Sequence, residues 1–184
     1  MKIVPPSRPL QTRAQTDALI AGRITIDPKH VYLLGVRGYY RDTMGAPGKN
    51  DRGIYDDAII LRSPTSHVAF NANTDPSVAR KHIAVLKAGV WMYQVGTHGL
   101  SKPKAQQYTA LVQAGEVTVI RDQEGPDTGF FGINIHRGSV SGTSSLGCQT
   151  IFPDQCPAFI ALVQSELKRA GQKIIPYVLV ENAS

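Results

Sequence analysis

At 184 residues, 42% hydrophobic and 18% charged, the chain is long enough for one domain with a real core, residues 1–184, and too short to expect two. Two cysteines exclude a disulfide framework and fit a reducing compartment, and no apolar run approaches the length of a membrane span. A net charge of +6 and a pI near 9.4 suit either an anionic surface or plain solubility, but the basic residues are scattered and their densest clusters (Lys102, Lys104; Lys168, Arg169) lack interleaved aromatics, which argues against nucleic acid.

Residues 1–9 read as an extended lead-in, with Pro5, Pro6 and Pro9 opposing a helix. The start has no apolar stretch of the Sec signal type, which predicts a protein made in the cytoplasm. Residues 10–21 carry Leu10, Ala14, Ala18 and Leu19 or Ile20 at helical spacing, with Gly22 as the C-cap. Residues 31–36 are β-branched and aromatic and read as a central strand. Gly, Pro, Asn and Asp crowd residues 45–53 into a loop that Asn50, Arg52 and Tyr55 are expected to hold together. Residues 58–61 and 67–70 pair as a hairpin around Pro64-Thr65-Ser66. A loop over 71–76 leads to an expected short helix over 77–87, with Val78, His82 and Val85 on one side. A strand over 90–95 then ends in Gly96-Thr97-His98-Gly99. A helical turn is expected at Tyr108, Leu111 and Val112, and a strand over 117–120. The clearest helix spans 157–170: Pro157 suits its first turn, Ile160, Val163 and Leu167 make an apolar face, and Gly171 stops it. Residues 174–180 form a last strand, which Pro176 places at an edge. Short strands with two or three helices, in an order that is not βαβ, predict a mainly β fold with α: a mixed, mostly antiparallel sandwich or partial barrel.

Chemistry concentrates in residues 132–154, GINIHRGSVSGTSSLGCQTIFPD. The alternating Phe131, Ile133 and Ile135 predict a half-buried strand with His136 at its end. Gly147 allows a sharp turn into a second apolar run that starts at Cys148. Two strand ends joined by a loop bring an imidazole toward a thiol, and a neighbouring His is expected to lower the thiol pKa by stabilising the thiolate.

This stretch resembles the catalytic domains of the L,D-transpeptidase (YkuD-type) family, in which a strand ends in Ile-His-Gly and a loop leads to Ser-His-Gly-Cys with an Arg two residues on. Ile135-His136 and Ser145-Leu146-Gly147-Cys148 stand for these elements. Leu146 occupies the place of the second His and Thr150 that of the Arg. Ala88-Gly89-Val90-Trp91-Met92-Tyr93 is similar to the strand that precedes the site, so the resemblance covers residues 86–152. It implies a sandwich or partial barrel with packed helices, Cys148 as nucleophile and His136 as base. It also implies a cysteine enzyme acting on murein stem peptides without a cofactor or metal.

The catalytic set expected is therefore Cys148, His136, Gly147 and Ser145. The N–H groups of Gly147 and Cys148 would hold the oxyanion, because they lie beside the attacking sulfur. A backbone carbonyl, Ser139 or Ser141 would orient the imidazole. Arg137, His98, Tyr93 and Ser144 are the substrate-binding candidates, with Arg137 and His98 standing in for the absent Arg and His. Each has a plainer alternative: Cys148 as a small core residue, His136 as a strand-end side chain, His98 as a loop histidine, Tyr93 as core. A Cys148–Cys156 disulfide would consume the nucleophile. The acidic residues Asp51, Asp56, Asp57 and Asp75 match no EF-hand, and no His or Cys spacing supports zinc.

The function expected is cleavage of an amide in murein stem peptides through a Cys acyl-enzyme, as an L,D-carboxypeptidase or endopeptidase. The alternatives are cross-linking transpeptidation and a non-catalytic wall-binding or virion module. A basic wall enzyme without a leader points to a phage endolysin, a bacteriolytic lysis protein, or an injected effector. It would be a monomer that reaches the periplasmic wall and has no nucleic-acid partner.

Overall fold

The computed structural model describes residues 3–181, and two α-helices and eleven strands are assigned among them. In chain order these are α1 (Arg13–Ala21), β1 (Tyr32–Arg37), β2 (Asp57–Arg62), β3 (His67–Asn73), β4 (Ala84–Leu86), β5 (Gly89–His98), β6 (Tyr108–Gln113), β7 (Val117–Arg121), β8 (Gly125–Gly129), β9 (Ile135–Arg137), β10 (Gln149–Ile151), α2 (Cys156–Ala170) and β11 (Ile174–Glu181). Eight strands close a barrel in the order β1-β11-β5-β6-β9-β10-β3-β2, and β4, β7 and β8 form a separate antiparallel sheet. Among the described residues only β1 with β11 and β9 with β10 run parallel. The fold is mainly β and mostly antiparallel as expected, and of the two arrangements expected, a sandwich or a partial barrel, the large sheet takes the barrel form, closed on itself. Closure gives every strand of the large sheet a neighbour on each side.

Period-two alternation divides the side chains. Leu33, Ile59, Phe70, Tyr93, Leu111, Ile135, Ile151 and Tyr177, from all eight barrel strands, share one buried cluster with Phe159, Val163 and Leu167 of α2. Tyr32, Leu34, Val36, Ala58, Ile60 and Val178 form the other, capped by Ile20 of α1. Burial on both faces explains why residues 31–36 read as a continuous apolar run. The Phe159 ring meets Phe70 edge-on at 5.2 Å, and truncating a fully buried Phe of this kind costs roughly 3–5 kcal/mol.

Both helices lie where their periodicity puts them. Thr12 and Gln15 form a capping box on α1, and Gly171 ends α2 in the left-handed region. The hairpin of β2 and β3 turns at residues 63–66. Three expectations fail, and one strand was not foreseen. Residues 77–87 are not helical: His82 takes φ 68°, which breaks a helix, and β4 pairs with β7. Tyr108, Leu111 and Val112 lie on β6, whose ladder with β5 overrides their helical spacing. β8, Gly-Pro-Asp-Thr-Gly, has too little strand character to be read from sequence. Pro176 does not mark an edge, since β11 lies between β1 and β5. It pairs with Met92 of β5, and the β1 ladder begins only at Tyr177, so the missing N–H disrupts nothing. No helix among the described residues is long and apolar enough to cross a membrane.

Candidate active site

The site forms where β9 and β10 run side by side. Gln149 pairs with Ile135 and Thr150 with His136. Residues paired across a ladder point to the same side, so Cys148, Thr150, Asn134 and His136 share one face while Ile135 and Ile151 enter the core. His136 sits in the middle of a three-residue strand, with the alternating residues 131–133 outside it.

Gly147 makes the approach to Cys148 possible. Its φ is +142°, and a Cβ there would lie 2.9 Å from the Ala84 carbonyl oxygen and 3.0 Å from Ile133 Cδ1, a position only glycine fills without strain. The half-buried Cys148 Sγ accepts from the Asn134 N–H at 3.4 Å and donates to the Gly132 carbonyl at 3.4 Å. Cys148 and Cys156 are both free thiols.

The loop between His136 and Cys148 is pinned at several points. Tyr55 donates its hydroxyl to the carbonyls of Ser139 (2.8 Å) and Gly142 (3.2 Å). Ser77 bonds through its N–H to the Ser145 carbonyl, and through its hydroxyl to the Ser145 N–H and Thr143 Oγ1. Tyr55 thus anchors this loop instead of the segment at residues 45–53. Ser145 is buried, and its hydroxyl donates to the Cys148 carbonyl at 2.6 Å and accepts the Gly147 N–H at 3.1 Å. Its geometry braces the turn. The Gly147 N–H is therefore committed, and of the two expected oxyanion donors the Cys148 N–H is the one without an acceptor among the described residues. Ser144, exposed at φ 54°, shapes the same turn.

His136 is 5% exposed and its Nδ1 lies 2.8 Å from the Arg137 carbonyl oxygen. A carbonyl only accepts, so Nδ1 carries the proton and Nε2 is the basic nitrogen. The Tyr108 hydroxyl lies 3.1 Å from Nδ1 and reaches the same carbonyl at 3.4 Å. Orientation comes from that carbonyl and from Tyr108, not from Ser139 or Ser141, whose hydroxyls bond each other at 3.2 Å. His98, at the end of β5, stacks on His136 with ring centroids 4.0 Å apart, and its Nδ1 lies 3.0 Å from the Asn134 side-chain nitrogen. The sulfur and the two imidazoles are thus linked through Asn134, and no direct hydrogen bond joins Cys148 to His136 among the described residues.

Electrostatics put both groups in their neutral forms. Burial pushes the Cys148 thiol above its ordinary value, with the Asn134 N–H pulling it partly back. Burial, then the neighbouring His98, lowers His136 to about 4. His98 is itself lowered, by burial and then by Lys102. The expected imidazole-stabilised thiolate is therefore overturned: desolvation of two neighbouring groups disfavours both charges.

Two substrate-binding candidates take other places. Tyr93 is fully buried, edge-on to Tyr177 at 5.7 Å, with its hydroxyl unpartnered, so it is core. Arg137 lies 5.1 Å over the Tyr108 ring and borders a small cleft with α2 residues Cys156, Pro157 and Ile160. Tyr108 thus touches both the Arg137 guanidinium and the imidazole. Leu146 is 64% exposed, and Thr150 is buried and brings no cation to the face.

Three residues of the site escaped sequence reasoning. Asn134 was detectable, since it alternates with His136 on one face. Tyr108 was hidden by the helical reading of β6. Gln113 accepts the N–H groups of Phe131 (3.1 Å) and Ile133 (2.7 Å) and so fixes the segment that carries Gly132 and Asn134. The acidic residues are structural: the Asp57 carboxylate accepts from Gly38 and Thr74, and Asp75 pairs with Arg37 at 3.3 Å. No cluster of three or more metal-ligating side chains occurs among the described residues.

No family model matches the chain, and no curated protein or solved structure matches it either.

Proposed function

We propose that the protein is a cysteine acyl-transfer enzyme of the L,D-transpeptidase type that cleaves an amide in murein stem peptides. The observation that carries this reading is the placement, on one face of adjacent strands, of a half-buried thiol behind a glycine at φ +142° and a histidine whose Nδ1 is fixed and whose Nε2 has no hydrogen bond among the described residues. The closed barrel and its two helices are compatible with the family resemblance.

The chemistry follows from neutral reactants. Cys148 Sγ attacks the amide carbonyl as its proton passes to His136 Nε2, and the oxyanion takes the Cys148 N–H. The C–N bond breaks, the amine leaves with the proton from His136, and a thioester remains. Water then adds, His136 accepts its proton, and collapse releases the acid and restores the thiol. An amine in place of water would give the transpeptidase.

The second reading is a wall-binding module without catalysis, favoured by the lack of a direct Cys148–His136 hydrogen bond and by the raised thiol pKa. Digestion of purified sacculi, followed by mass spectrometry, separates the two. Wild type should release new muropeptides and Cys148→Ala none. Wall binding by both proteins with no products from either would establish the module instead.

A further inference from the structure

Two clefts are bordered by alternate residues of the segment 130–134. Phe130, Gly132 and Asn134 border a groove of about 610 Å³ together with His98, Leu100 and Lys102. Phe131 and Ile133, the alternate residues, border a cleft of about 540 Å³ with Arg80, Lys81, Ile83 and Leu146. Gly147 lies against Ala84 and Ile133, which both line this second cleft, so it opens directly behind the turn that carries Cys148.

Its charge is lopsided. Arg121 pairs with Asp127 at 2.8 Å and lies 4.9 Å over the Phe131 ring, and His82 faces Glu124 at 2.5 Å. Asp122 is held by both terminal nitrogens of Arg52 and by the Arg80 N–H. The side chains of Arg80 and Lys81 have no hydrogen bond or ion pair among the described residues, and both are exposed at the rim. Below them the surface turns aliphatic with Ile83, Ile133 and Leu146. Two unpaired cations over an apolar floor suit a carboxylate on a short carbon chain.

We propose that this cleft is the carboxylate-reading subsite of the enzyme inferred above, on which reading it rests. Arg80 and Lys81 grip a free carboxylate of an acidic peptide, and Leu146, Ile83 and Ile133 hold the adjoining aliphatic carbons. The cleft supplies the cation that the face of β10 lacks, where Thr150 is buried and neutral.

The test is calorimetric titration of full-length Cys148→Ala, which needs no turnover, with a soluble stem peptide and with the same peptide carrying its free carboxylates as amides. The acid should bind roughly 10- to 100-fold more tightly than the amide, the range expected for one or two charge-assisted contacts, and the preference should shrink with added salt. Adding Arg80→Gln and Lys81→Gln, which remove no bond inside the protein and should leave the melting temperature unchanged, should abolish that preference. In the active enzyme the same pair should raise KM and leave kcat nearly unchanged. Equal affinity for acid and amide, or a preference that survives the double substitution, overturns the subsite. Muropeptide release with unaltered KM in the double variant sinks the subsite and keeps the enzyme. A carboxylate preference that depends on Arg80 and Lys81, in a protein that yields no products from sacculi, keeps the subsite and sinks the enzyme.

Discussion

A thiol raised by burial and an imidazole lowered to about 4 make a specific prediction about how Cys148 reacts with pH. Above 9.0, the ordinary value from which burial raises it, a thiol is ionised to less than about 1% at pH 7. A preformed thiolate–imidazolium pair, with a thiol pKa of about 3–4, would be almost fully ionised there. Alkylation of the folded protein by iodoacetamide, read by mass mapping of the Cys148 peptide, should therefore accelerate about tenfold per pH unit from pH 6 to pH 8. Cys156, pushed up to about 11 by burial, should lag behind at every pH and serves as an internal control. The acid limb of kcat/KM should lie near 4, where His136 gains a proton and stops acting as the base. His98→Ala opens the face of the ring and removes a neighbouring cation, so it should move that limb up toward 6.5. A Cys148 alkylation rate that stays flat from pH 5 to pH 8 would refute the neutral-pair reasoning.

Three further outcomes follow from the geometry. Gly147→Ala should abolish activity, and the strained φ alone should cost about 1–3 kcal/mol in a denaturant melt. Ser145→Ala should lower kcat and cost about 1–3 kcal/mol, because the buried Gly147 N–H loses its acceptor, while leaving the thiol count unchanged. Asp56 is buried, one of its carboxylate oxygens is unpartnered, and burial raises it to about 7. A raised carboxyl means that the folded state holds its proton more tightly than the unfolded one, so this group withdraws stability as pH rises from 3.8 to about 7. Asp56→Asn removes that loss, and thermal melts should show its advantage over wild type to be larger at pH 8 than at pH 5.

How much was legible in the sequence depended on whether a signal was local. Both helices announced themselves, because Gly22, Pro157 and Gly171 act within a few residues of where they stand. The hairpin at residues 63–66 is local in the same sense. Barrel closure is not: it depends on β1 meeting both β2 and β11, far apart in the chain. β6 carries helical spacing and becomes a strand because β5 supplies six residues of ladder. Within the site, Cys148, His136 and Gly147 were identifiable from one loop, and His98 arrived beside them by way of β5. The electrostatic expectation failed because it counted the imidazole as a charge and left out burial, which makes ionisation costly for both groups. Ser145 illustrates the other limit, since a serine beside a nucleophile looks chemical until its hydroxyl is seen closing the turn.

The central claim is that Cys148 carries the acyl group. The most direct measurement is the intact mass of the protein, acid-quenched during turnover of a soluble stem peptide and mapped by proteolysis. An adduct equal to the acyl portion of the peptide is expected, confined to the peptide containing Cys148 and missing in Cys148→Ala. Muropeptide release by Cys148→Ala at the wild-type rate, or an adduct on any other residue, would contradict it.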